Sequence, residues 1–313
     1  MGQTETPDAR RRVWARLPDG TRQALADLPE TDLRTLLLDL AATRAAAVTP
    51  ADLMRRWRQD RFVRPAGGDP RALAAVEARI WHLLPAPVDG VELAPVTPLG
   101  TSSAVAPVSQ NRIVTTMRTT EIISDATNTL AIEAATRRRH QSATGEIHLA
   151  AAHRHLRAQD FGTGRSAHFR LFCVVSSARD TGSGATEARL LTLHLSFWQR
   201  VLADLLPAAA PQLRLTVMDS PVIRERLDDT VLPALTGPVP IVEEPERVRG
   251  RGYYTDAALR IVADDDGQTV ELGDGGFTTW TRQLMGDAKE RCLVSCLATE
   301  RLTALARPAG VSP

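Results

Sequence analysis

Aromatic residues, lysine and cysteine are all scarce in this sequence, and each shortage excludes something. Aromatics make up 4% of the 313 residues, too few to interleave with arginine as a platform for stacked bases. Lys289 is the only lysine, so almost all of the positive charge is guanidinium. With 38 basic against 37 acidic residues the net charge is +1. That balance supplies no global field for a polyanion, and a nucleic-acid partner would need a local arginine patch. The three cysteines, Cys173, Cys292 and Cys296, are odd in number and sparse, which argues for a reducing compartment over a disulfide scaffold. The expected location is the cytoplasm. No apolar run approaches the ~20 residues needed to span a bilayer. Met1 to Arg16 is polar and arginine-rich, without the apolar stretch of a signal peptide. A membrane partner is therefore not expected.

What is present is enough apolar material, 43% of residues, to build one large domain or two of ordinary size. Residues 1–84 read as an N-terminal helical region. Leu33, Leu36, Leu37 and Leu40 fall at helical spacing, and Thr49-Pro50-Ala51-Asp52 has the pattern of an N-cap, a first-turn proline and an acidic third position. Pro65 to Pro70 is a turn before a helix from Arg71 to Leu84. Past Pro85 the pattern changes, and 85–307 reads as the core, with a frayed tail at 308–313. Strands are expected at 91–93, 112–117, 121–123, 169–176, 213–218, 257–262 and 269–272, with helices at 129–139, 187–206, 222–235 and 282–293. Strands joined by long irregular connections predict an α+β fold with an antiparallel or mixed sheet flanked by helices.

The most informative stretch is Arg249-Gly250-Arg251-Gly252-Tyr253-Tyr254-Thr255, which holds both tyrosines of the chain. A strand, the turn Asp264-Asp265-Asp266-Gly267 and a second strand follow, leading to Asp274-Gly275-Gly276-Phe277. The hairpin brings the two glycine segments together. This pattern resembles the histidyl-tRNA synthetase branch of the class II aminoacyl-tRNA synthetases, in which Arg-Gly-x-x-Tyr-Tyr-Thr precedes a hairpin and Gly-Gly-Arg-Tyr-Asp. The resemblance places Arg249 at the substrate carboxyl and phosphate region and Tyr253 and Tyr254 in the amino-acid pocket. Gly275 and Gly276 are kept, whereas Phe277, Thr278 and Thr279 stand where the family has Arg-Tyr-Asp.

Three further motifs of that family have counterparts in the same order. The helix 71–84 and Val91-Glu92-Leu93-Ala94-Pro95 match the segment that forms the family's dimer interface, so the resemblance implies a homodimer. His153-Arg154-His155-Leu156-Arg157 and His168 to Val174 match the strand pair that grips ATP. Arg154 stands at the α-phosphate arginine, Leu156 replaces the glutamate that reads adenine, and Val174 replaces a glutamine at the amino-acid end. Glu187 matches an acidic position opening the next helix. Glu300-Arg301-Leu302 matches the last motif, with Arg301 at the γ-phosphate end of ATP and Ala298 in place of a glycine. Thr127, in Ser124-Asp125-Ala126-Thr127, falls where the family uses a glutamate for the substrate amino group, and a neutral hydroxyl cannot replace that carboxylate.

The resemblance covers roughly residues 71–305 and implies ATP and magnesium as ligands. The losses at Thr127, Leu156, Val174 and Phe277 favour a non-catalytic or regulatory paralogue that binds a small anionic or nucleotide ligand and does not charge tRNA. Alternatives are an ATP-dependent ligase forming an acyl-adenylate on another acceptor, a role with a protein partner, and arginine-mediated nucleic-acid binding. Plainer readings also exist. Arg249 can pair with Glu243 or Glu246 on a surface loop. Arg137-Arg138-Arg139 suits a helix C-terminus. His148, His153 and His155 lack the further ligands of a zinc site, and zinc is not expected. Cys292 and Cys296, four apart, fit core thiols on one helical face, and Asp264 to Asp266 a solvated turn.

Overall fold

The computed structural model describes residues 7–141, 145–162, 166–218, 220–248 and 250–306. Helices come first: α1 (Pro7–Trp14), α2 (Thr21–Ala26), α3 (Glu30–Ala46), α4 (Pro50–Gln59) and α5 (Pro70–His82). The start of α4 is a capping box, in which the Thr49 hydroxyl accepts from the Asp52 amide at 3.2 Å and the Asp52 carboxylate accepts from the Thr49 amide at 3.1 Å. Helices α2, α3 and α4 bury no side chain, whereas α5 buries Val76, Glu77 and Ile80. The packed body begins at α5.

The body continues with β1 (Asp89–Gly90), β2 (Val96–Pro98), α6 (Thr101–Val105), β3 (Thr120–Ile122), α7 (Ala126–Arg139), β4 (Glu146–Leu156) and β5 (His168–Arg179). Next are α8 (Ala185–Leu205), β6 (Gln212–Val217), α9 (Pro221–Arg226), α10 (Leu232–Ala234) and β7 (Ile241–Glu243). The chain then forms β8 (Thr255–Asp265), β9 (Gln268–Thr278), α11 (Trp280–Met285), β10 (Glu290–Ala298) and α12 (Thr299–Leu305). Eight strands make one sheet in the order β1-β4-β5-β10-β9-β8-β6-β7, and β2 pairs with β3 apart from it. The two outermost pairs are parallel and the inner ones antiparallel. This is the mixed α+β sheet that the strand spacing predicts.

Four expected elements differ. The strand expected at 91–93 is absent, those residues lying between β1 and β2. The helix expected over 282–293 stops at Met285, where Gly286 takes φ +66°, and Glu290 opens the central strand β10. A strand buried on both faces reads as an unbroken apolar run, which periodicity alone cannot tell from a helix. Cys292 and Cys296 thus share a strand face, not a helix face. The strand expected at 112–117 is a 3₁₀ turn, Gln110–Arg112, followed by one bridge from Thr115 to Glu121. Gly275 and Gly276 lie inside β9 rather than in a turn beyond it.

Alternation along the strands gives the sheet two unlike faces. One face packs α8: Phe172, Leu259, Phe277, Leu293 and Leu297 meet Leu195 and Trp198. Burying Trp198, fully inaccessible, is worth about 3–5 kcal/mol on the scale of tryptophan truncations. A line of hydrogen bonds runs through this face. Trp198 Nε1 donates to Ser295 Oγ at 2.8 Å, and Ser295 Oγ lies 2.8 Å from His194 Nδ1. His194 Nε2 and His148 Nδ1 each lie 2.8 Å from Ser176 Oγ, and His148 Nε2 is 3.3 Å from a Glu146 carboxylate oxygen. Carboxylate only accepts, so with both rings in the neutral form the proton on each sits at Nε2 and every link points the same way. The other face packs α7, with Leu149, Ala151, Leu171, Cys173 and Val294 against Ala131 and Ala134.

Candidate functional site

The tyrosines lie on the α7 face because the backbone before and after them is bent by residues with positive φ. Gly250 and Gly252 take φ +91° and +81°, and Asp256 takes φ +52° beside a register shift between Thr255 and Ala258. The amide of Tyr254 donates to Gly250 O at 2.8 Å. The Tyr254 ring then lies directly on β9, where a Cβ on Gly276 would sit 2.7 Å from it. Tyr253 meets Tyr254 edge to face at 4.9 Å and Trp280 at 5.7 Å. Gly275 and Gly273 are needed for a different approach. A Cβ on Gly275 would come 2.4 Å from Val294 O, and one on Gly273 2.0 Å from Cys296 O.

Two carboxylates and two guanidinium groups surround the tyrosines. Asp125 caps α7, its Oδ1 accepting from the Thr127 amide at 3.0 Å and the Thr127 hydroxyl at 2.6 Å, while Oδ2 lies 3.6 Å from Arg157 Nη2. Arg157 also donates to Ser124 O at 2.8 Å and sits 5.1 Å above the Phe169 ring. Asp274, on β9, accepts from the Cys296 thiol at 3.7 Å and lies 4.0 Å from Arg247 Nη2. Arg247 is buried and stands 5.9 Å from the centre of the Tyr254 ring. Burial raises the Tyr253 hydroxyl pKa above its ordinary value, and Asp125 and Asp274 both push it further in that direction. Burial likewise raises the Cys296 thiol, again with help from Asp274 and Asp125. Both carboxylates therefore act on the same small volume.

His155 closes the α7 side. Its Nε2 accepts from the Ala126 amide at 2.8 Å, and the ring stacks on Phe169 at 5.8 Å. Burial, opposed by Asp125 and assisted by Arg157, pulls its pKa down to about 3, so the ring is neutral at physiological pH. A cluster of paired charges of both signs beside two phenols has the chemistry to meet a small polar molecule carrying an amine and an acidic group.

The structure gathers some of the residues singled out in the sequence and not others. Tyr253, Tyr254 and Gly276 meet as described. Thr127 is at the pocket, with its hydroxyl bound to Asp125, which is the carboxylate of this segment. Gly275 underlies Ser295 from the neighbouring strand. Arg249 lies outside the described residues, as does Arg165.

Arg154 is on the opposite face. In β4 the side chains of His153 and His155 point toward α7, so Arg154 points the other way. There its guanidinium bonds Glu300 at 2.7 Å and His168 Nδ1 at 3.0 Å. Its cross-strand neighbour Arg170 holds Glu77 of α5 by two bonds, 2.8 and 2.7 Å. Glu187 is buried on α8 and accepts from Arg291 at 2.6 Å. Arg301 is exposed on α12 and donates to Glu271 O at 2.9 Å. The ATP positions implied by the resemblance are thus not assembled around the tyrosines by Arg154, whose place facing the pocket is taken by His153, His155 and Arg157. Among the described residues no three or more of His, Cys, Asp and Glu gather to hold a metal ion. Arg154 is held on the far face of the sheet by Glu300 and His168, and Arg157 is the guanidinium of this strand that stands beside the tyrosines.

The other arginine readings resolve into structure. Arg138 forms a buried pair with Glu290, 2.8 Å at its shorter contact, while Arg137 meets Glu133 and Asp89 and Arg139 donates to Leu284 O. Asp264 caps its own turn, accepting from the Gly267 amide at 2.8 Å. Asp125, Arg157, Asp274, Arg247, Cys296 and His155 were not singled out as ligand-binding from sequence. The i, i+2 spacing of His153, His155 and Arg157 was the available signal for the strand face.

No protein-family model matches the sequence, and no curated protein matches it. Solved structures do match in fold. Histidyl-tRNA synthetase from S. aureus in its apo form superposes with a TM-score of 0.56 at 14% identity, over 78% of this chain and 67% of that one. A protein of Bacillus halodurans C described as an ATP phosphoribosyltransferase regulatory subunit/histidyl-tRNA synthetase gives 0.58 at 10% identity, over 78% and 83%. A histidine–tRNA ligase subunit from Alicyclobacillus acidocaldarius gives 0.54 at 13% identity, over 77% and 96%. No helix among the described residues is long and apolar enough to cross a membrane. With its mixed eight-stranded sheet between helices and its tyrosine pair over a glycine strand, this chain has the fold of a class II synthetase-like core.

Proposed function

We propose that the chain is a synthetase-like paralogue that binds a small polar ligand in the tyrosine pocket and does not activate it. The observation that supports this most directly is the orientation of Arg154. The residue placed by resemblance at the α-phosphate of ATP spends its guanidinium on Glu300 and His168 behind the sheet. The pocket itself offers Asp125 with Arg157 and Asp274 with Arg247. That pairing favours a ligand bearing both an amine and a carboxylate or phosphate, since each ligand charge then meets a counter-charge of the pocket. A neighbour in fold carries the description of a regulatory subunit, which is consistent with a role exercised through a protein partner.

Calorimetric titration with the free amino acids, and separately with ATP and magnesium, tests the reading. One zwitterion is expected to bind, and Asp125→Asn, which keeps a capping residue, to weaken it at least tenfold, about 1.4 kcal/mol. Pyrophosphate exchange is expected to stay at background across the same amino acids. Exchange above background would replace this reading with that of an adenylate-forming ligase, and the absence of any binding would remove it.

A further inference from the structure

The helices ahead of the packed body carry most of the large apolar side chains that the fold leaves uncovered. Of the thirteen exposed in the described residues, eight lie between Val13 and Val63. Three of these belong to α4, where Leu53, Met54 and Trp57 are 59%, 55% and 53% exposed. At about 100° per residue the three fall within one narrow sector of the helix, so they form a single apolar face. Arg56 and Arg58 border that face on its two sides, and both are exposed. Neither pairs with a carboxylate among the described residues, whereas Arg55, on the opposite side of the helix, is held by Asp52 at 2.5 Å.

Helix α4 buries no residue, yet it is well defined. The capping box of Thr49 and Asp52 closes its first turn, and Pro50 opens it. Beyond its far end the chain is latched to the body, where Arg61 donates to Ala158 O and Gln159 O and His168 Nε2 donates to Arg64 O at 2.5 Å. Caps and latch together hold up a helix whose apolar side stays open to solvent.

An apolar stripe that contains an indole and has a cation on each border is the pattern of a helix lying in a membrane interface. The apolar side chains enter the acyl boundary, the indole rests at headgroup level and the guanidinium groups reach lipid phosphates. A protein groove would need carboxylates placed along both borders of a ten-residue helix, whereas a layer of anionic headgroups offers acceptors on both sides at once. Over 50–64 five arginines stand against two aspartates, so this segment is drawn to negative potential although the whole chain is nearly neutral. We infer that α4 is an interfacial anchor that seats this protein on an anionic lipid bilayer. The expectation of no membrane partner rests on the length of apolar runs, and the absence of a described helix able to cross a membrane concerns spanning. A helix lying flat needs no such length. The inference stands apart from the tyrosine pocket and from the ligand proposed for it.

Flotation of the full chain with vesicles of phosphatidylcholine, alone or mixed with phosphatidylglycerol, tests this. The chain is expected to float with the phosphatidylglycerol vesicles only, and to be released in ~1 M NaCl as the charges are screened. Arg56→Gln/Arg58→Gln is expected to lower vesicle affinity at least tenfold, since each arginine near an anionic surface contributes roughly fivefold. Leu53→Ser/Trp57→Ser is expected to abolish flotation. Circular dichroism should not change in either variant, because all four side chains are exposed. Lipids brominated on their acyl chains should quench tryptophan fluorescence in the wild type but not in Trp57→Leu, which keeps the apolar face and still floats. No flotation with phosphatidylglycerol, binding unchanged in both double variants, or no quenching would each overturn the inference. A chain that stays off both vesicles and instead associates with protein through Arg56 and Arg58 would overturn it too.

Discussion

The two faces of the central sheet are built from alternate residues of the same strands, yet they solve opposite problems. On the α8 face every polar group of the Trp198–Ser295–His194–Ser176–His148–Glu146 line has a partner supplied by the chain itself. On the α7 face, part-exposed carboxylates and guanidinium groups gather beside the tyrosines. Residues adjacent in sequence serve different ends: Ser295 locks a helix to the sheet while Cys296 borders the pocket, and Gly275 makes room for Ser295 while Gly276 makes room for Tyr254. What separates the residues of the locked face from those beside the tyrosines is strand parity, not distance along the chain.

That contrast can be broken most severely on the closed face. Trp198→Ala removes a fully buried ring and leaves Ser295 without its donor, and should cost about 3–5 kcal/mol, read as a fall in the urea midpoint. A loss below ~1 kcal/mol would show that the α8 face tolerates a hole and is not the locked side. Acid provides a gentler probe of both faces. His194 is driven to about 3 by burial, with His148 adding to the effect, and His155 reaches about 3 for the same main reason. Both rings are neutral when folded, whereas the unfolded chain protonates them below about 6.5. Their contribution is therefore complete above that pH and is lost as pH falls toward 3. The urea midpoint should drop steadily between pH 6.5 and 4, and a flat profile would refute the buried neutral state. The smallest effect should come from Arg154→Ala. Its pair with Glu300 is part-exposed and worth no more than about 1 kcal/mol, and ligand affinity should not change. A tenfold loss of affinity would return Arg154 to the pocket.

Much of the fold was legible in the sequence, because turns, caps and hairpins are local. The capping box at Thr49, the helices near 70–84, 126–139 and 185–206 and the hairpin of β8 and β9 all follow from short-range patterns. The helix expected across 282–293 failed where a central strand buries both faces, since burial on two sides erases the alternation that marks a strand. In the site, motif matching singled out Tyr253, Tyr254 and Gly276, which the fold brings into contact. It did not carry Arg154, because a motif match records residue types in order and says nothing of which side of the sheet each one faces. Asp274 and Arg247 lay beyond reach for a related reason: they meet across β9 and a preceding loop, a contact that only tertiary structure supplies.

The three glycines of β9 have one more consequence. Gly273 and Gly275 are pressed against the backbone of β10, and Gly276 lies under a tyrosine ring, so even a methyl group at any of them must displace a neighbour. Gly276 is the one of the three that faces the tyrosines, and the position beneath Tyr254 is thereby closed to mutational exploration. If related chains have come to recognise different small molecules, their divergence should be written in the walls, at the positions of Asp125, Arg157 and Cys296, above a bare ribbon that none of them can decorate.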